Sequence, residues 1–274
     1  MRGYKNPDLL WTPDRLRRTL DGGPPLPPLI LDIRTTQDYV AGHIPGAVHL
    51  DLFGLSVRHT GPESLDSFFW MMEGLFGNRG VDHGKTVVVY DERTGTRAAR
   101  AFWFLEYFGH EDVHVLDGGY DAWEMAAHPV SRDPVIPEGA SFKARPVADR
   151  LATAETIRKG LDDGGCVVLD TRTDGEYHGT ELRAKRGGAI PGAVHIEWKN
   201  NVEDGAYKNA EDLAALYAPA GVTPDKDVSA YCQGGYRSAH AYLALRLLGY
   251  EKVRNYISSW AEWGEREELP IEAP

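Results

Sequence analysis

The chain has 274 residues, 42% hydrophobic and 26% charged, which suits about two globular domains able to bury cores without staples. A formal charge of −11 excludes a general nucleic-acid binder and adhesion to anionic membranes, and no apolar run approaches the roughly 20 residues of a membrane span. Two cysteines make no disulfide framework, and the start lacks the apolar stretch of a secretory signal, so the expected compartment is a reducing cytoplasm.

In chain order, "WTPDRLRRTLDGG" (11–23) offers a Thr N-cap, a short helix and a glycine stop. "LILDIR" (29–34) reads as a strand, and "GHIPGAVH" (42–49) leads into another. Residues 63–77 read as a helix with Leu65, Phe68, Phe69, Met72, Leu75 and Phe76 on one face. Trp70 and Met71 fall on the other side, expected at a domain interface shielding a site from water or else exposed. "VVVYD" (87–91) is a strand ending in the loop "DERTGTR", followed by a helix and "VLDGGYDAW" (115–123). Residues 131–149 are rich in Pro and polar side chains, as a linker is.

The chain then repeats itself. "LATAETIRKGLDDGG" (151–165) matches the first helix, and "VVLDTR" with "GAIPGAVH" matches the first strands. Residues 227–263 match 86–123. An offset of about 140 residues is too long for a solenoid and right for a duplicated domain. Strands alternating with helices imply an α/β fold of two tandem domains, each a small, mostly parallel sheet flanked by helices on both faces. The expected boundaries are 1–133, a linker at 134–140, and 141–274.

Cys232 stands at the end of the strand "DVSAY" and before the helix "SAHAYLALRLL", where such sheets form their sites. A cysteine attacks as its anion. The helix head and an amide nest built on Gly234 and Gly235 favour that anion, and Arg237 adds a planar cationic fork. These features predict a thiol pKa below the ordinary value of about 8.5. A small core cysteine beside an ordinary turn is the alternative. The first half places Asp91 where Cys232 stands, in a loop one residue longer, so only the second half can carry thiol chemistry.

With "LDIR", "GHIPGAVH", "VVVYD" and "VLDGGYDAW" in one half, and "LDTR", "GAIPGAVH", "YCQGGYRSA" and the closing Trp pair in the other, the chain resembles the tandem-domain rhodanese sulfurtransferases along essentially its whole length. The resemblance implies an inactive first domain, an active second one and a site between them. Cys232 would alternate between thiolate and persulfide, taking sulfur from thiosulfate and passing it to cyanide or a thiol. Residues 233–237, including Gln233, Gly234, Gly235 and Tyr236, would cradle the persulfide, and Arg237 would orient the loop or meet the donor. Phosphatases of related fold use Cys-x5-Arg, one residue longer than "CQGGYR". The loop also differs from that of mercaptopyruvate enzymes, and Glu176 stands where vertebrate-type thiosulfate enzymes place an arginine. The alternatives are a 3-mercaptopyruvate sulfurtransferase, a non-catalytic persulfide carrier that serves one protein partner, and a phosphatase.

The insert "TELRAKRG" (180–187) brings Arg183, Lys185 and Arg186 into an acidic protein. It reads as an anion-steering rim, with Arg186 the first choice for a substrate contact and Arg183 the next. Asp32–Arg34, Asp170–Arg172, His49 and His195 occur in both halves and read as structural. Cys166 reads as a core residue, and Trp198 as a further wall of the site. No metal motif is present and no cofactor is expected. The expected partners are a small anionic sulfur donor, a thiophilic acceptor and, in some settings, an acceptor protein, with neither nucleic acid nor membrane.

Overall fold

The computed structural model describes residues 2–22 and 26–274; Gly23, half of the expected helix stop, lies outside them. The first half contains β1 (Leu10–Trp11), α1 (Pro13–Gly22), β2 (Leu29–Asp32), α2 (Thr36–Ala41), β3 (Val48–His49), α3 (Pro62–Gly77), β4 (Val87–Tyr90), α4 (Thr96–Tyr107), β5 (Val113–Leu116) and α5 (Gly119–Met125). The second contains β6 (Leu151–Ala152), α6 (Ala154–Asp163), β7 (Val167–Asp170), α7 (Asp174–Tyr177), β8 (Val194–His195), the hairpin β9 (Val202–Glu203) and β10 (Ala206–Tyr207), α8 (Ala210–Tyr217), β11 (Val228–Tyr231), α9 (Tyr236–Leu247), β12 (Val253–Tyr256) and α10 (Ser259–Trp263). The sheets run β1-β5-β4-β2-β3 and β6-β12-β11-β7-β8, with every pairing parallel. They are the same sheet built twice.

Alternation along the strands decides what each face covers. Leu31, Val87 and Val89 face a core that also receives Leu169, Val228 and Ala230 of the other sheet. Ile30, Val88 and Tyr90 face a separate outer cluster with Trp11, Leu16 and Trp123. Val168 and Tyr231 face its counterpart, with Ile157, Trp260 and Trp263. One continuous core therefore joins the halves, with α4 packed on α9 at its centre. Both helices present buried alanines, Ala98, Ala99 and Ala101 on one and Ala239, Ala241 and Ala244 on the other.

Asp32–Arg34 and Asp170–Arg172 are buried pairs at the ends of β2 and β7. Arg172 donates to Asp170 at 2.6 Å and to the Gly188 carbonyl at 2.7 Å; Arg34 does the same with Asp32 and Gly42, each at 2.6 Å. His49 and His195 each donate from Nε2 to the carbonyl of that arginine, at 3.0 and 2.9 Å. Residues 132–147 have no regular structure but lie along the first half: Phe142 is buried in the core, and Arg145 and Val147 donate to Phe108 and Tyr107. Residues 2–6 cross to the second half, where the Lys5 amide and the Asn6 side chain meet carbonyls at the end of α9. The β9–β10 hairpin turns on Asp204–Gly205, both with positive φ, as the Asp-Gly pair favours.

A buried clasp also links the halves. Glu262 accepts from the Thr60 amide at 2.9 Å, the Thr60 hydroxyl at 2.7 Å and Tyr256 Oη at 2.8 Å, while Thr60 Oγ1 accepts from the Ala154 amide at 3.0 Å. Thr60→Val keeps the shape and removes the hydroxyl. The expected loss is about 1–3 kcal/mol, read as a lower urea midpoint at unchanged slope. An unchanged midpoint would mean that the clasp contributes nothing.

Candidate active site

The loop that follows β11 is shaped by what it must reach. The Cys232 carbonyl accepts from the Trp260 amide and the Gln233 carbonyl from the Ala261 amide, both at 3.0 Å, which pins the loop to the start of α10. The Cys232 amide donates to Ser259 Oγ at 3.0 Å. Ser259 itself sits at φ 53°, a conformation held by its own hydroxyl donating to the Tyr256 carbonyl at 2.6 Å. Gly235, at φ 83°, is the left-handed residue that starts α9; a Cβ there would lie 2.5 Å from the Ile257 carbonyl oxygen. This position admits glycine alone.

That turn brings the donors onto the sulfur. The Gly235 amide points at Cys232 Sγ at 3.2 Å, and Ser238 Oγ lies 3.5 Å away. Ser238 Oγ is also 2.6 Å from Asn255 Oδ1, so its one proton serves either the sulfur or the amide oxygen. Burial pushes the Cys232 thiol up, but the Arg237 charge, the Ser238 hydroxyl and the amides of Ser238 and Gly234 together draw it down to about 7. Cys232 lines an open cavity of about 380 Å³ together with Phe53, Arg97, Arg183, Gly234 and Tyr236. Cys166 is in the opposite situation: half-buried at the start of β7, it is pushed up by burial.

Arg237 is held by Glu176, which stands where vertebrate-type thiosulfate enzymes place an arginine. Its Nη1 and Nη2 donate to Glu176 Oε2 and Oε1 at 2.5 and 2.8 Å. Burial would raise the Glu176 carboxyl, but this fork and Thr173 bring it down to about 2. Glu176 also closes a capping box with Thr173 at the start of α7, and Thr-x-x-Glu was the sequence signal available for it. Arg237 is thus an orienting charge beside the sulfur, with its fork already filled.

The other expected site residues divide. Arg183 is on the cavity wall, half-exposed, with Nη1 3.4 Å from Glu176 Oε1, and its carbonyl accepts from Gln233 Nε2 at 2.9 Å. Arg186, the first choice for a substrate contact, is turned away. Its guanidinium donates to the carbonyls of Trp263 at 2.8 Å, Leu269 at 3.0 Å and Gly264 at 3.3 Å, and to that of Arg266. Those carbonyls come from the end of α10 and the turns that follow it, and Arg186 gathers them. Tyr236 has its ring on the wall, donates from Oη to the Leu52 carbonyl at 2.8 Å and accepts from the Gly54 amide at 3.1 Å, tying α9 to the first half. Trp198 packs edge-on against His240 and does not line the cavity. Trp70 and Met71 are exposed and line a different cavity with Phe142 and Lys143, so they do not shield the sulfur. Among the described residues, no group of three His, Cys, Asp or Glu side chains could hold a metal.

Asp91 occupies the matching place after β4. Its carboxylate accepts from the amides of Gly95, Arg97 and Ala98 at 3.0–3.1 Å, so the first bowl is filled by its own side chain. Burial raises that carboxyl to about 7 despite the amides.

The rhodanese-like domain model matches this chain twice, over residues 12–126 and 153–266. The chain belongs to the rhodanese family. A thiosulfate sulfurtransferase of Pseudomonas aeruginosa is 34% identical over 92% of each chain. One from Azotobacter vinelandii is 34% identical over 89% of this chain and 90% of its own. A sulfur carrier protein of Thermus thermophilus is 35% identical over 98% of both. Among solved structures, an anaerobic ergothioneine biosynthesis enzyme from Chlorobium limicola superposes with a TM-score of 0.85 at 23% identity, over 98% of this chain and 71% of its own, which establishes the shared fold. Two rhodanese domains and these relatives make the protein a sulfurtransferase.

The environment of Cys232 sets a pH profile. Because the anion is the reactive form, alkylation by iodoacetamide is expected to rise with pH and reach half its plateau near pH 7. Ser238→Ala removes a donor to that anion, and its midpoint should move up by about half a unit to one unit. A wild-type midpoint above 8.5, the ordinary thiol value, would contradict the described bowl.

Proposed function

We propose that the protein transfers sulfane sulfur from thiosulfate to a thiophilic acceptor through a persulfide on Cys232. The observation that carries this reading is a buried sulfur, drawn to a pKa of about 7, facing an open cavity that carries arginines. The Cys232 thiolate attacks the outer sulfur of thiosulfate; a sulfur–sulfur bond forms to the protein, the bond to the sulfonate sulfur breaks, and sulfite leaves with the electron pair. The persulfide's terminal sulfur carries the charge that the thiolate had, so the same amides and the Arg237 charge hold it. An acceptor thiolate or cyanide then takes that sulfur and restores the Cys232 thiolate. No proton and no redox cofactor are needed in either half. In this reading Arg237 orients the loop, which agrees with its fork being filled by Glu176. The same filled fork argues against a phosphatase, which needs that group for phosphoryl oxygens.

A second reading, delivery of the sulfur to a protein acceptor, draws support from the Thermus sulfur carrier relative. It differs in the second half-reaction only: the persulfide forms but small acceptors discharge it slowly.

Thiosulfate treatment is expected to add about 32 Da, one sulfur atom, to the intact protein at Cys232. Cys232→Ser should lose at least about a thousandfold in turnover with its fold unchanged. Residual transfer near the wild-type rate, or an adduct on Cys166, would refute the assignment. Faster loading by 3-mercaptopyruvate than by thiosulfate would change the donor and leave the persulfide chemistry in place.

A further inference from the structure

The donor is an anion, and the cavity's cations are mostly committed elsewhere. Arg237 is forked onto Glu176, and Arg183 shares Glu176 at 3.4 Å. Arg97 differs. It comes from α4, in the half with Asp91 instead of a thiol, and it lines the same cavity as Cys232. Its guanidinium lies 4.9 Å over the Phe53 ring. Among the described residues its Nη1 is buried with no hydrogen-bond partner, and no carboxylate lies within ion-pair distance of it. One helical turn deeper, Arg100 is fully buried, and Nε, Nη1 and Nη2 likewise lack partners. It stacks 3.8 Å over the ring of Tyr236, a wall residue of the cavity. Arg97 with an unpartnered buried Nη1 at the cavity, and Arg100 one turn behind it beside the Cys232 sulfur, leave a positive wall that an incoming anion completes.

We propose that Arg97 is a donor-binding residue, and that the sulfonate end of thiosulfate is held between Arg97 of the first half and Arg183 of the second. This rests on the proposed function, to which it adds the residues that recognise the donor. It gives the half without a thiol a direct part in substrate binding. Arg100 lies behind that wall as a positioning charge, seated on Tyr236.

The test uses the full chain and two readouts. In single-turnover persulfide formation, Arg97→Met should raise the half-saturating thiosulfate concentration about tenfold or more while changing the limiting rate less than about threefold. Arg97→Lys, which keeps the charge and loses the fork, should fall between. Sulfate should protect wild-type Cys232 from iodoacetamide, and Arg97→Met should lose that protection. Unchanged half-saturation and unchanged sulfate protection in Arg97→Met would overturn the proposal, as would a fall in limiting rate alone. Should the methionine variant not fold, the same comparison on Arg97→Lys decides, with wild-type values overturning it. Sulfate protection needs no sulfur transfer. A wild-type protein that takes up no sulfur would therefore refute the proposed function, while loss of protection would still support Arg97 as an anion ligand.

Discussion

A negative charge on a buried sulfur must be offset at the sulfur, and most of the second half is arranged around that demand. Cys232 is 1% exposed, a setting that by itself favours the neutral thiol. It is kept near neutrality in pKa by groups that arrive from three elements. The turn supplies the amides of Gly234 and Gly235, the first turn of α9 supplies Ser238 and Arg237, and α7 supplies the carboxylate that holds Arg237 in place. The conditions for this are narrow: a left-handed Gly235 against the Ile257 carbonyl, and a left-handed Ser259 beneath the Cys232 amide. A persulfide places the same charge one atom further out, so a bowl that stabilises the thiolate is already suited to the intermediate.

The first half carries the matching loop with an aspartate in place of the cysteine. After β4, the Asp91 side chain folds back and takes the amides of its own loop. The first half thus holds a carboxyl among its own loop amides, where the second half places the Cys232 thiol beside a cavity. The first half nevertheless stays part of the site. It shares one core with the second, it receives the Tyr236 hydroxyl on the Leu52 carbonyl, and it sends Phe53 and Arg97 to the cavity wall.

The arginines make the same point about context. Arg183 and Arg186 are three residues apart on one insert, yet one lines the cavity and the other caps α10. A guanidinium goes where acceptors are densest, and the end of a short helix with the turns beyond it, beside the insert, offered four carbonyls. Nothing in the local sequence of the insert records the position of that helix end.

Local pattern was enough for much of this protein. The repeated strand and helix motifs determined two parallel α/β sheets. The position of Cys232 between a strand and a helix, with Gly234, Gly235 and Arg237 following, marked an anion-binding loop, because strand alternation, glycine turns and helix heads are written in consecutive residues. Glu176 was legible too, through its capping-box spacing, although its grip on Arg237 was not. Tertiary structure alone decided which cations line the cavity with Cys232, that Trp70, Met71 and Trp198 stand away from it, that residues 2–6 cross to the other half, and that Arg97 lines the cavity from the half without a thiol, with Arg100 buried behind it. Those outcomes depend on packing between segments distant in the chain, from about forty residues for Trp198 and His240 to more than two hundred for residues 2–6 and the end of α9, and side-chain direction across such a gap is set by which neighbours fill the space.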